Sequence, residues 1–255
     1  MSDSGAVDPI SIEICVDSLA SALAAQSGGA RRVELCSDLL EGGITPSAGL
    51  VELVREKITI GLHVMIRPRG GDFCYTAEEF ETMRRDIGVA KRLGVDGVVF
   101  GILKADASVD VERTRELVEL ARPLGVTFHR AFDVSGDLLR ALEDVRASGV
   151  DRLLTSGGER TVDQGAAMIA ALVKASRGRI AIMACGGISA RNAAAVIDQT
   201  GVKEIHAGLR SAIENQSLVQ NSRVSIGARP EEFQRFQVLE KDVRSLYRAA
   251  NFAKV

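Results

Sequence analysis

A single-domain (β/α)8 TIM barrel is the fold class that the sequence predicts, and three observations predict it. Eight short β-branched and aliphatic runs alternate with amphipathic stretches ending in glycine, and no Pro/Gly/Ser linker interrupts the rhythm. Strands that alternate with helices pair in parallel, because each crossover needs a helix to carry the chain back. The length of 255 residues suits one such barrel. Aromatic residues make up only 4%, tryptophan is absent and glycines number 25. The interior must therefore be built from closely packed Ala, Val, Ile and Leu, as in a parallel sheet covered by helices. An open doubly wound sheet is the alternative architecture.

Residues 1–10 read as a flexible, small and acidic tail, and the barrel domain as 11–255. The strands expected in order are 11–17, 32–37, 61–67, 97–102, 126–132, 151–156, 180–184 and 203–208. Between them lie helical patterns with recognisable ends. Thr45-Pro46 places proline at a first helical position, and Thr76 followed by Glu79 reads as a capping box. Gly94, Gly125, Gly149 and Gly201 fall where a helix C-terminus favours positive φ. The last unit departs from the pattern. Residues 211–230 read as a long irregular segment, after which Pro230 opens a charged amphipathic helix running to about Ala250.

Charge and composition narrow the function. With 32 Lys+Arg against 34 Asp+Glu, the net charge is −2, which gives no electrostatic reason to expect nucleic acid or an anionic membrane as partner. No apolar run approaches the ~18 residues that a membrane span needs, and the first residues lack a basic flank. The reading is a cytoplasmic protein whose partners are small molecules or ions. Its four cysteines are then reduced thiols, none in a CxxC pair.

Strand alternation identifies what faces the barrel lumen. Ile12, Ile14 and Val16 take the helix side, which turns Glu13, Cys15 and Asp17 inward. The same parity sends in Glu34 and Cys36, then His63, Met65 and Arg67, then Thr127 and His129, Met183 and Cys185, and finally Glu204, His206 and Gly208. A barrel filled only for stability would use Val, Ile and Leu, because each buried charge costs several kcal/mol unless paired. The polar groups must satisfy one another in a structural Glu–Arg–His network or wait for a ligand. Glu13, Glu34, His129 and the rim acid Asp133 are the acid–base candidates, His129 foremost because a shifted imidazole titrates near neutrality. Arg67, Arg69 and Arg130 are suited to gripping an oxyanion. The glycine turns after the sixth and seventh strands, Ser156-Gly157-Gly158 and Gly186-Gly187, allow backbone N–H groups to approach the same anion, with His206 close by. Cys15 and Cys36 come from neighbouring strands and both face in, so their sulfurs suit one soft ion such as Cu(I), or else pack as small hydrophobes.

EICVDS (13–18), RRVELCSDLLEGGITPS (31–47), HVMIRPRGGDF (63–73), VTFHRAFD (126–133), RLLTSGG (152–158) and NSRVSIGA (221–228) resemble the CutC family, named for copper homeostasis. The resemblance spans roughly Glu13 to Ala228. It implies a TIM barrel, a cytoplasmic and generally homo-oligomeric protein, and copper(I) held by Cys15 and Cys36; it implies no organic cofactor. Two positions depart from the pattern, Cys185 where relatives tend to have glycine and Gly208 where serine is common. The residues thus frame a copper-homeostasis protein. The alternatives are a lyase- or isomerase-type enzyme acting on a small anionic molecule at the barrel mouth, and a scaffold whose inner network is structural.

Overall fold

The computed structural model describes residues 9–214, 223–224 and 233–252. Eight parallel strands close into a barrel in chain order: β1 (Ser11–Val16), β2 (Arg32–Leu35), β3 (Gly61–Met65), β4 (Gly97–Phe100), β5 (Gly125–Phe128), β6 (Arg152–Thr155), β7 (Ala181–Ala184) and β8 (Glu204–Ala207). Closure abolishes the sheet edges. Seven helices cross over between successive strands: α1 (Leu19–Ser27), α2 (Ala48–Lys57), α3 (Ala77–Arg92), α4 (Val111–Ala121), α5 (Leu138–Ala147), α6 (Val162–Ser176) and α7 (Ala193–Thr200). α8 (Glu240–Phe252) packs against α1 and α7. No helix among the described residues is long and apolar enough to cross a membrane.

Local signals account for many of the boundaries. Thr76 and Glu79 form the reciprocal capping box that opens α3. Gly201 closes α7 in the left-handed conformation, and Gly94 and Gly149 take positive φ just beyond α3 and α5. Three expectations need correction. Gly125 is not a cap but the first residue of β5, its N–H bonded to the Asp96 carbonyl. Pro46 lies outside α2, because Ser47 caps that helix by accepting from the Leu50 N–H. At the C-terminal end, Arg210–Ile213 is a strand (β9) that pairs antiparallel with Arg235–Val238 (β10), so residues expected in an irregular loop and in the last helix form a hairpin. That helix begins only at Glu240. Residues 215–222 and 225–230 of the expected irregular segment, Pro230 included, and residues 1–8 of the expected tail lie outside the described residues.

Parity holds around the barrel. Ile12, Ile14, Val16, Val33, Leu35, Leu62, Val64 and Ile66 belong to the main apolar core between sheet and helices. The inward set forms separate groups, Cys15, Cys36, Met65 and Val99 in one and Leu154, Met183 and Cys185 in another. Following the strand register with the one-residue step per strand of such a barrel stacks the inward positions in levels drawn from alternate strands. From the N-terminal end these are Arg32, Gly97, Arg152 and Glu204, then Glu13, His63, Thr127 and Met183, then Glu34, Val99, Leu154 and His206. Above them come Cys15, Met65, His129 and Cys185, and at the mouth Cys36, Gly101, Ser156 and Gly208. Glycine at the start of β4 and just after its end makes room for two imidazoles: a Cβ at Gly97 would lie 2.5 Å from His63 Nε2, and one at Gly101 2.5 Å from His129 Nδ1.

Candidate functional site

The floor of the lumen is an ion-pair network. Arg32 donates to Glu13, which is fully buried, and to Glu204 at 2.9 Å, while Arg152 donates to the same Glu204 at 3.1 Å through its second nitrogen. Burial alone would raise the Glu13 carboxyl; Arg32 and His206 outweigh it and hold the group well below the usual carboxylate range. Arg32 and Arg152 are therefore the cations of the network, and Arg67 is not. Both obey the inward parity and stand at the first positions of β2 and β6.

Above this floor the chemistry changes from charge to sulfur. Glu13 Oε1 lies 2.7 Å from His206 Nδ1, and His206 Nε2 lies 3.8 Å from Glu34 Oε2. Cys36 Sγ is 3.6 Å from that same Glu34 oxygen and 3.9 Å from Cys15 Sγ. The two sulfurs and a Glu34 oxygen all lie within 4.8 Å of one another, and so do ligand atoms of Glu13, Glu34 and His206. Cys36 is fully buried and Cys15 nearly so, with all four cysteines free. A hydrogen bond from Cys36 lowers the Cys15 thiol to about 5 against the effect of burial, with His206 assisting. The same bond, together with burial, holds the Cys36 proton and raises that thiol. The shared hydrogen bond thus drives the two thiols apart, Cys15 down and Cys36 up. Burial and the neighbouring Cys15 charge push Glu34 up. Burial would lower His206, but Glu34, Cys15 and Glu13 outweigh it and raise the imidazole.

At the rim, the three arginines are taken up by carbonyls and side chains of the loops. Arg67 is buried and donates to the carbonyls of Glu41 (2.7 Å), Gly43 (3.0 Å) and Gly71 (2.9 Å), with its guanidinium 5.1 Å from the Phe73 ring centre. It ties the loop after β2 to the loop after β3. Arg69 donates to Glu79, Asp72 and the carbonyls of Gly70, Asp72 and Cys74. Arg130 pairs with Asp133 at 2.8 Å and donates to Ser156 Oγ at 2.7 Å. Asp133 in turn accepts from the Ser156 and Gly158 N–H groups and from the Thr155 and Ser156 hydroxyls. Gly157, Gly158, Gly186 and Gly187 all take positive φ. His129 is buried, packs edge-on to Phe73 at 5.0 Å and accepts the Ala131 N–H at Nδ1, while its Nε2 has no partner. Burial, then the Arg67 charge, lowers it to about 3, so it is a neutral imidazole at physiological pH. Burial likewise pulls His63 down to about 4 and raises the Cys185 thiol. The structure brings Glu13, Glu34, His206 and Cys15 together on β8, β1 and β2, with Cys36 the residue that follows β2. Arg130, Asp133 and Ser156–Gly158 form a second group across the mouth.

Comparison with known proteins identifies the family and the fold. The sequence profile of the CutC family matches residues 10–211. A family protein CutC from Chromobacterium violaceum is 46% identical over 243 residues, covering 95% of this chain and 98% of that protein. The Mus musculus copper homeostasis protein cutC homolog is 46% identical over 224 residues, 88% of this chain and 82% of its own length. The crystal structure of CutC from Streptococcus agalactiae superposes with a TM-score of 0.74 at 35% identity, covering 78% of this chain and 98% of that one. Phosphoribosyl anthranilate isomerase from Thermotoga maritima, 14% identical with a TM-score of 0.56 over 94% of this chain and 98% of that one, shares the fold alone.

Proposed function

Since this chain belongs to the CutC family, we propose that it serves copper homeostasis by binding Cu(I) between Cys15 and Cys36 inside the barrel. The observation that carries this reading is the pair of free, buried sulfurs 3.9 Å apart on adjacent strands. Metal–thiolate bonds are about 2.3 Å for the comparable zinc case, so one ion between two sulfurs needs only a small separation of the pair. The polarisable thiolate suits a soft monovalent ion and suits Mg2+ or Ca2+ poorly. The Cys36 hydrogen bond lowers the Cys15 thiol, so Cys15 gives up its proton readily, and a monovalent ion brings little excess positive charge into the lumen. Binding at both sulfurs would displace the proton held by Cys36, and Glu34, 3.6 Å from Cys36 Sγ, stands within reach to accept it. Free thiols of this kind belong in a reducing compartment, and the cytoplasm is where we place the activity.

Titration of the reduced protein with Cu(I) against a chromophoric chelator tests the reading. Wild type competes for one ion per chain, and the Cys15→Ser/Cys36→Ser double variant does not. A double variant that binds as tightly as wild type overturns the assignment.

A further inference from the structure

We propose that the Met65 thioether is a third sulfur donor to the ion and is what tunes the cysteine pair toward copper(I) over zinc. This rests on the copper reading above and adds to it a ligand outside the two cysteines. Three features of the fold bring Met65 to the site. First, Cys15, Cys36 and Met65 stand on adjacent strands, with Met65 and Cys15 at the same level and Cys36 one level above and between them. Second, these three side chains pack together in one buried group with Val99, bordered by Leu39. Third, the loop after β2 closes down on Cys36 and Met65 from above. Gly43 takes φ +92, and a Cβ there would lie 3.1 Å from Cys36 Sγ and 3.6 Å from Met65 Cε, so both side chains end at the same small space under its backbone.

The competing third donor is Glu34, whose carboxylate lies within 4.8 Å of both sulfurs. Charge and hardness separate the two. Two thiolates and one Cu(I) ion sum to −1, and a carboxylate donor adds a further negative charge, while Glu34 already faces the His206 ring at 3.8 Å. Each charge added to a closed lumen carries a desolvation cost. A thioether completes the set with no added charge, and Val99 and Leu39 supply the apolar surroundings that such a complex favours. Soft sulfur also prefers Cu(I), whereas an oxygen donor in that position would favour zinc. Methionine's unbranched side chain has the rotational freedom to swing its sulfur to the ion while remaining packed when the ion is absent.

The experiment uses the reduced full-length protein carrying 13C-methyl methionine, whose five methionines are Met1, Met65, Met83, Met168 and Met183. Adding one equivalent of Cu(I) shifts the methyl signal that is missing from a Met65→Leu variant and leaves those of Met83 and Met168 in place. The same near-isosteric variant, shown by circular dichroism to be folded, loses at least about tenfold in Cu(I) affinity against a competing chelator, the low end of what removing a supporting group at a metal site costs. Its zinc affinity is unchanged, so its preference for copper falls by the same factor. An unmoved Met65 signal with equal Cu(I) affinity in wild type and Met65→Leu overturns the inference while the cysteine reading stands. Wild-type protein that binds no Cu(I), or a double-serine variant that binds it as well as wild type, overturns both.

Discussion

Replacing Arg32 by methionine removes the cation that ties the barrel floor together while keeping an unbranched side chain in its place. Arg32 is the main counter-charge of Glu13, whose side chain is 0% exposed, and it also pairs with Glu204 at 2.9 Å. Deleting one member of a buried pair costs about 3–5 kcal/mol, because the remaining charge keeps its desolvation penalty without its partner. For a chain of this size each kcal/mol moves the melting temperature by about 2–4 °C, so the expected loss is roughly 6–20 °C at pH 7. The pH dependence fixes the mechanism. In wild type the Glu13 carboxyl is held below its unfolded value, so its contribution to stability is complete above that value and is lost as pH falls. In Arg32→Met the burial term prevails and raises the Glu13 carboxyl, so the variant gains stability as pH falls and Glu13 takes up a proton. The gap between the two melting curves therefore narrows from pH 7 to pH 4.5. Glu13→Gln/Arg32→Met recovers part of the loss at pH 7. Thermal melts followed by circular dichroism read both effects. A variant that melts within 2 °C of wild type, or a gap that widens at low pH, would refute the idea that this network is a paired structural floor.

Two further predictions follow from the same geometry. Thiolate absorbance in the ultraviolet rises with a midpoint near pH 5 by one equivalent in wild type and is absent from Cys15→Ser, since the Cys36 hydrogen bond, against burial, lowers the Cys15 thiol; a first thiolate that appears only above pH 8 would contradict the shared-proton pair. Gly97→Ala places a methyl 2.5 Å from His63 Nε2 and destabilises by about 1–3 kcal/mol as an overpacked site. The cost of Gly97→Ala in a His63→Ala background, measured by urea unfolding, is smaller, and equal costs in the two backgrounds would show that the ring is not what the glycine accommodates.

Much of the site is legible in the alternation of the strands. Glu13, Cys15, Glu34 and Cys36 occupy the lumen because Ile12, Ile14, Val33 and Leu35 claim the helix side, and burial of apolar groups is a strong enough force to set that choice locally. The same logic reaches Arg32 and Arg152, which share the inward parity of Glu34 and Leu154. Arg67 shows where that logic stops. Its inward parity is sound and its side chain is buried, yet its guanidinium reaches carbonyls of two loops, a partnership that strand periodicity cannot encode. The hairpin of β9 and β10 escaped for a related reason: its strands are only four residues each, and each pairs with a segment about twenty residues away in the chain.

By itself the sequence determined that this chain is a (β/α)8 barrel and which side chains enter its lumen, since pattern and parity are properties of neighbouring residues. Tertiary structure alone decided the height at which each of those side chains stands. That height comes from the stagger between strands that closure of the barrel imposes, and it puts two sulfurs 3.9 Å apart above a floor of ion pairs. Such stagger depends on how every strand and helix packs at once, so no local run of residues contains it.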